Sequence, residues 1–153
     1  MKIRLLKLRD KENWIKLAKD ADNRNREWAV QKFESYVMTK KRKKLIVCED
    51  NKQLVGFCGL KGVDMDENVS LELNNYYALI TWIAILPSFR KAGFGSLLLN
   101  ECEKYARKWK KKGIWLGCRI TIIPFYERNG YEHKGTFINE KGKEENLMVK
   151  ELK

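Results

Sequence analysis

The sequence predicts a single α/β domain, α+β in part, built on a mixed, mostly antiparallel sheet with one central parallel strand pair and helices on both faces. Three observations lead there. Ala78 to Leu86 is a run of nine residues without a charge, too short for a membrane span and suited to a strand buried on both faces. A glycine-spaced turn, RKAGFG at 90–95, follows it and opens onto the helical spacing of Leu98, Cys102, Tyr105 and Trp109. A second uncharged stretch, Ile114 to Cys118, comes after Gly113. Strand, helix and strand then form a right-handed crossover whose two strands are parallel.

In chain order, Lys2 to Leu8 alternates as a first strand, and Asp10 stands where a helix cap belongs. Trp14, Ile15, Leu17 and Ala18 predict a helix over 11–19. The segment Asp22-Asn23-Arg24-Asn25 breaks it, and Trp28, Phe33, Tyr36 and Val37 predict a second helix ending near Thr39. Leu45 to Cys48 and Leu54 to Leu60 read as antiparallel strands around an Asp50-Asn51-Lys52 turn. Between Gly62 and Tyr77 periodicity is lost, and Asp64, Asp66, Glu67 and Glu72 occur there without a lysine or arginine.

Pro87 lacks a backbone donor and ends the central strand, and Gly113 is the expected stop of a helix running to about Lys112. Pro124 opens a short helix ended by Gly130. Tyr131 to Ile138 and Glu145 to Leu152 form a closing hairpin with Gly142 in its turn.

A chain of 153 residues, 44% of them hydrophobic, supports one core, so the expected domain is 1–153. No basic-then-apolar leader pattern and no apolar run of membrane length is present, which predicts a cytoplasmic protein without membrane partners. Cys48, Cys58, Cys102 and Cys118 lie apart, with no CxxC pair or histidine cluster, and read as buried free thiols, with no metal expected. Thirty-two Lys and Arg against 20 Asp and Glu give a net charge of +12. That charge attracts polyanions, yet the runs Lys40 to Lys44 and Lys108 to Lys112 sit near predicted helix ends, where cations favour the dipole, and a solvated basic surface is the preferred account of them over a nucleic-acid partner.

The loop carries the chemistry. Arg90, Gly93 and Gly95 precede a helix start, where unpaired backbone donors and a partial positive charge meet, and glycine lets an anion approach the main chain. Pyrophosphate is the natural guest. A dinucleotide GxGxxG fails because Leu98 holds its third glycine position, and the Lys-Ser/Thr ending of an ATP-binding loop is absent.

Two linked blocks, Ile83-Ala84-Ile85-x-Pro87-x-x-Arg90-x-x-Gly93-x-Gly95 and Phe125-Tyr126-Glu127-Arg128-x-Gly130-Tyr131, resemble the GNAT superfamily of N-acetyltransferases over about Tyr77 to Phe137. The resemblance implies acetyl-coenzyme A as co-substrate and no metal. It places Ile83, Ala84 and Ile85 along the coenzyme and Arg90, Lys91, Ala92, Gly93, Phe94, Gly95 and Ser96 around its pyrophosphate. Many members carry asparagine where this chain has Arg119, so that coenzyme contact differs. The first two helices and their joint become one wall of the acceptor site.

An amine must attack the thioester while donors hold the oxyanion and the thiolate gains a proton. The Ile85 main chain is the expected donor to the thioester oxygen, given a bulge in the strand. Tyr126, at the family's tyrosine, is the expected general acid, packing being its alternative role. The central strand holds no carboxylate, so the base is open among Glu72, His133 and water. The acceptor is an amine of a small molecule or a protein. The acidic residues 64, 66, 67 and 72 either steer a cationic amine or form a solvated loop. The rival to the enzyme is a GNAT-like module without catalysis, binding nucleic acid or a ribosomal partner through its basic surface.

Overall fold

The computed structural model describes residues 1–39, 41–62 and 71–153. In chain order these residues form β1 (Lys2–Leu5), α1 (Lys11–Asp22), α2 (Arg26–Val37), β2 (Lys43–Asp50), β3 (Gln53–Lys61), α3 (Leu71–Tyr76), β4 (Tyr77–Ile85), α4 (Phe94–Lys108), β5 (Gly113–Cys118), α5 (Ile123–Arg128), β6 (Glu132–Ile138) and β7 (Glu144–Glu151). The strands make one sheet in the order β1-β2-β3-β4-β5-β7-β6. The β4–β5 pair is parallel, with Tyr77, Ala78 and Leu79 opposite Gly113, Ile114 and Trp115. The β1–β2, β5–β7 and β6–β7 pairs are antiparallel. The fold class is therefore the one the sequence predicts. Among the described residues no helix is long and apolar enough to cross a membrane.

The chain divides into two compact units, Met1–Leu60 with Thr81–Glu101, and Lys61–Ile80 with Cys102–Lys153. In the first, α1 and α2 bury Trp14, Leu17, Ala29, Phe33 and Tyr36 against Leu45, Val47 and Phe57, with Trp82, Ala84 and Leu86 at the margin. Trp14 donates its indole hydrogen to Ala29 O at 2.8 Å, which satisfies a fully buried polar group. Asn25 caps α2 by accepting from Trp28 N at 2.8 Å, and Asn51 and Lys52, both at positive φ, make the β2–β3 turn.

Asp10 departs from the expected cap. Its carboxylate takes Arg4 at 2.7 and 3.1 Å and the Lys7 amide at 2.8 Å, while Arg4 also reaches Glu49 at 2.9 Å. A guanidinium outcompetes a helix amide for a buried carboxylate. This hydrogen bonding holds the Asp10 carboxyl below its usual range despite burial, and Arg4 does the same to Glu49. The first strand consequently ends at Leu5, three residues before the sequence suggests.

In the second unit, Tyr77, Leu79, Trp115 and Val149 form the core, with Phe137 edge-on to Trp115 at 5.7 Å. Two expectations are corrected here. The helix α4 ends at Lys108, because Lys110 takes the left-handed conformation and its amide and that of Lys111 donate back to Arg107 O and Ala106 O, each at 2.9 Å. That is a Schellman closure made by a lysine where glycine is usual. Gly113 is instead the first residue of β5, where a side chain would collide with Lys150 O and the Tyr77 ring. A short helix, α3, occupies the end of the stretch that shows no periodicity.

The cysteines are all free and buried, as expected. Desolvation pushes the Cys48 thiol up to about 12, and burial with the nearby Glu145 raises Cys118, so both are neutral thiols at pH 7.

Candidate active site

The central strand is buried from Tyr77 to Ile80 and half-buried from Thr81 to Ile85, short of the burial on both faces expected from its composition. Leu86 N donates to Val55 O at 2.8 Å, which turns the Leu86 main chain toward β3. Because the N–H and C=O of one strand residue share an edge and successive residues alternate, the Ile85 and Ile83 main-chain groups face away from β3 and that of Ala84 faces toward it, with Ala84 O 3.1 Å from the side-chain position of Gly56. The Ile85 carbonyl is accordingly met by Arg90, whose Nε donates to it at 3.0 Å. Ala84 packs its side chain against the α1–α2 core.

Pro87–Phe89 form one 3-10 turn, with Phe89 N bonded to Leu86 O at 2.9 Å. Lys91 and Gly93 follow at φ 64° and 88°. Phe94 is buried with its ring 6.0 Å from Phe89, which anchors the first turn of α4. The first helical bond runs from Leu97 N to Gly93 O, so the amides of Phe94, Gly95 and Ser96 precede the intrahelical ladder. A side chain at Gly93 would meet nothing within 4 Å, and Arg90, Lys91 and Ala92 are exposed. An open glycine backbone, a helix start and two exposed cations fit a pyrophosphate.

Tyr126 lies on α5, 3% exposed, with its ring 5.0 Å from Phe125 and 5.7 Å from Tyr131. Its carbonyl accepts from Asn129 N and Tyr131 N, both at 3.0 Å. Lys150 clamps the same corner, donating to Asn129 O at 2.8 Å and to the buried Glu103 carboxylate at 3.1 Å. Arg119 is exposed at the end of β5.

Among the proposed bases, His133 is exposed on β6 with Nε2 3.1 Å from Asn146 Oδ1. Glu72 stands in α3, and its side chain is not among those described. Asp64, Asp66 and Glu67, expected to steer a cationic amine, lie outside the described residues. No group of three or more His, Cys, Asp or Glu among the described residues is placed to hold a metal ion.

One constellation escaped the sequence reading. Trp28 of α2 and Trp82 of β4 meet edge to face at 5.1 Å, and Tyr36 lies 5.0 Å from Trp82. Burial pushes the Tyr36 hydroxyl up to about 12, and it donates to Thr81 Oγ1 at 3.4 Å. Thr81 and Trp82, though consecutive, both crowd the side-chain position of Gly59.

A parallel strand pair joined through a helix, with a glycine-rich loop at the first strand's end, defines an α/β crossover unit with a candidate anion site. Residues 41–133 match the acetyltransferase (GNAT) domain, and the chain belongs to this family. It is 30% identical over 116 residues to an uncharacterized N-acetyltransferase of Methanocaldococcus jannaschii, covering 72% of this chain and 48% of that protein. The chain spans about half the length of this relative and 39% of an uncharacterized N-acetyltransferase of Bacillus subtilis. An aminoglycoside 6'-N-acetyltransferase crystallised with coenzyme A superposes with a TM-score of 0.76 at 18% identity, over 99% of this chain and 97% of that one. A ribosomal-protein-alanine N-acetyltransferase from Brucella melitensis gives 0.75 at 19%, over 99% and 100%. At these identities the two structures establish the shared fold.

Proposed function

We propose that residues 1–153 form one acetyltransferase domain that moves the acetyl group of acetyl-coenzyme A to a primary amine by direct attack in a ternary complex. The observation that carries this reading is the Arg90–Ile85 tie beside an open Gly93 at the start of α4, which couples an anion site to the end of β4. The coenzyme supplies an activated thioester.

The chain's own groups do the rest. Amides at 93–96, with Arg90 and Lys91, hold the pyrophosphate, and Arg119 supplies a further cation to the coenzyme. Ile85 N, with Ile83 N on the same strand edge, donates to the thioester oxygen as charge develops there. The amine's lone pair forms the C–N bond, the C–S bond breaks, and Tyr126 gives its hydroxyl proton to the departing sulfur. The proton lost by the amine leaves through water, or through Glu72 or His133.

Thiol release measured with acetyl-coenzyme A over a panel of amines tests this reading. Acceptor-dependent thiol release supports it. The rival is a non-catalytic module that binds nucleic acid or a ribosomal partner through the basic surface of a chain with net charge +12. Salt-sensitive RNA binding without turnover would establish that rival instead.

A further inference from the structure

We infer that Glu145 is the base of the transfer, holding the acceptor's ammonium beside the bare main chain of Gly117 and taking its proton. The inference rests on the acetyltransferase reading, which lays the coenzyme where the two parallel strands part. Among the described residues the β4–β5 pairing ends at Leu79 and Trp115. Strand β5 continues through Leu116, Gly117 and Cys118 with partners on β7.

Glu145 reaches Gly117 from β7. Side chains two apart on a strand share a face, so the register puts Trp115, Gly117, Phe137, Glu145 and Leu147 on one face of the sheet. A side chain at 117 would stand 2.9 Å from Glu145 Oε2 and 2.7 Å from the Phe137 ring. Glycine is what admits the carboxylate against the β5 backbone.

The carboxylate is oriented but not neutralised. Asn139 Oδ1 accepts from Lys141 N at 2.9 Å and Lys143 N at 3.0 Å, which turns its Nδ2 toward Glu145, and Nδ2 donates to Glu145 Oε2 at 3.2 Å. Among the described residues Glu145 has no other hydrogen bond and no ion pair, whereas Asp10, Glu49 and Glu103 each hold a cation. Glu145, Phe137 and Leu147 are half-buried. A carboxylate among apolar neighbours gains from a cationic guest, and an alkylammonium fits, with its charge on Oε1 and its carbon stem along Phe137 and Leu147.

The protons balance. The bound ammonium gives one proton to Glu145, which releases it to water on its exposed side. The freed lone pair forms the C–N bond, the C–S bond breaks with its electrons on sulfur, and Tyr126 protonates that sulfur. The nitrogen gives its second proton to the emptied carboxylate, and Tyr126 regains its own from solvent. This supplies the base that β4 lacks, since no carboxylate occurs from Ala78 to Leu86.

The test measures thiol release from acetyl-coenzyme A with spermidine, kanamycin, phenylethylamine and a peptide beginning with alanine, alongside calorimetry of acetyl-coenzyme A. Glu145→Gln keeps an acceptor for Asn139 and removes only the base. It should lower kcat about 100-fold, the low end of base catalysis, with coenzyme affinity and melting temperature unchanged. Glu145→Asp should recover part of the rate, and Glu144→Gln, at an exposed neighbour, should match the wild type. Turnover by folded Glu145→Gln within about threefold of the wild type, or an equal loss in Glu144→Gln, would overturn the inference. A loss of turnover matched by a loss of coenzyme affinity would overturn it too, by assigning Glu145 to the shape of the site. Each of these leaves the acetyltransferase reading standing, because the wild type still acetylates an amine. No thiol release by the wild type with any of the four would defeat both.

Discussion

Arg90 and Ile85 are joined by a hydrogen bond of 3.0 Å from the guanidinium Nε to the main-chain oxygen. The bond ties the exposed side chain that opens the anion loop to the last residue of the central strand. Removing it should loosen the loop without unfolding the protein, since an exposed hydrogen bond contributes only about 1 kcal/mol. Arg90→Ala should bind acetyl-coenzyme A about tenfold more weakly, equivalent to ~1.4 kcal/mol, with a melting temperature close to that of the wild type. Unchanged affinity by calorimetry would remove Arg90 from the site.

Tyr126 packs between Phe125 and Tyr131, so Tyr126→Phe keeps the ring and deletes only the hydroxyl. Turnover should fall about 100-fold, the low end of general acid catalysis, while coenzyme affinity stays within about twofold. Full turnover would assign the residue to packing alone.

The Lys150–Glu103 pair fastens the corner that carries Tyr126, and Glu103 is nearly buried. Lys150→Met leaves that carboxylate only the longer Arg107 contact at 3.7 Å. Because Lys150 keeps some solvent contact, the expected loss is about 2 kcal/mol in denaturant unfolding, below the full cost of a broken buried pair. Adding Glu103→Gln should restore part of it. A loss that does not change on adding the second substitution would show that the pair is uncoupled.

The Asp10 carboxyl, held low by Arg4, makes stability depend on pH. A depressed folded-state pKa contributes stability that is fully present above the ordinary carboxylate range and is lost as the pH falls below it. Asp10→Asn should therefore melt well below the wild type at pH 7, and the gap should narrow by pH 3. A constant gap from pH 7 to pH 3 would assign the cost to geometry instead.

The β4–α4–β5 unit was legible because an uncharged run, paired glycines and a helical repeat lie adjacent in sequence. Its helix end was misread because Lys110, rather than a glycine, adopts the left-handed turn, a choice made by tertiary packing. The short α3 has too few residues to show a period. Asp10 looked like a cap because its partners, Arg4 and the Lys7 amide, are identified only once the chain turns back. Trp28, Tyr36 and Trp82 each read as core on their own element, and only the packing of α2 on β4 brings them together.

The most direct test of the account is a calorimetric titration of acetyl-coenzyme A into the wild-type protein and into Gly93→Val. Gly93 sits at φ 88° in open space, so a β-branched residue both strains the loop and occupies the approach to its amides. The account predicts one-site binding by the wild type and at least a tenfold loss in a Gly93→Val protein that remains folded by circular dichroism. No binding by the wild type, or equal binding by the folded variant, would contradict it.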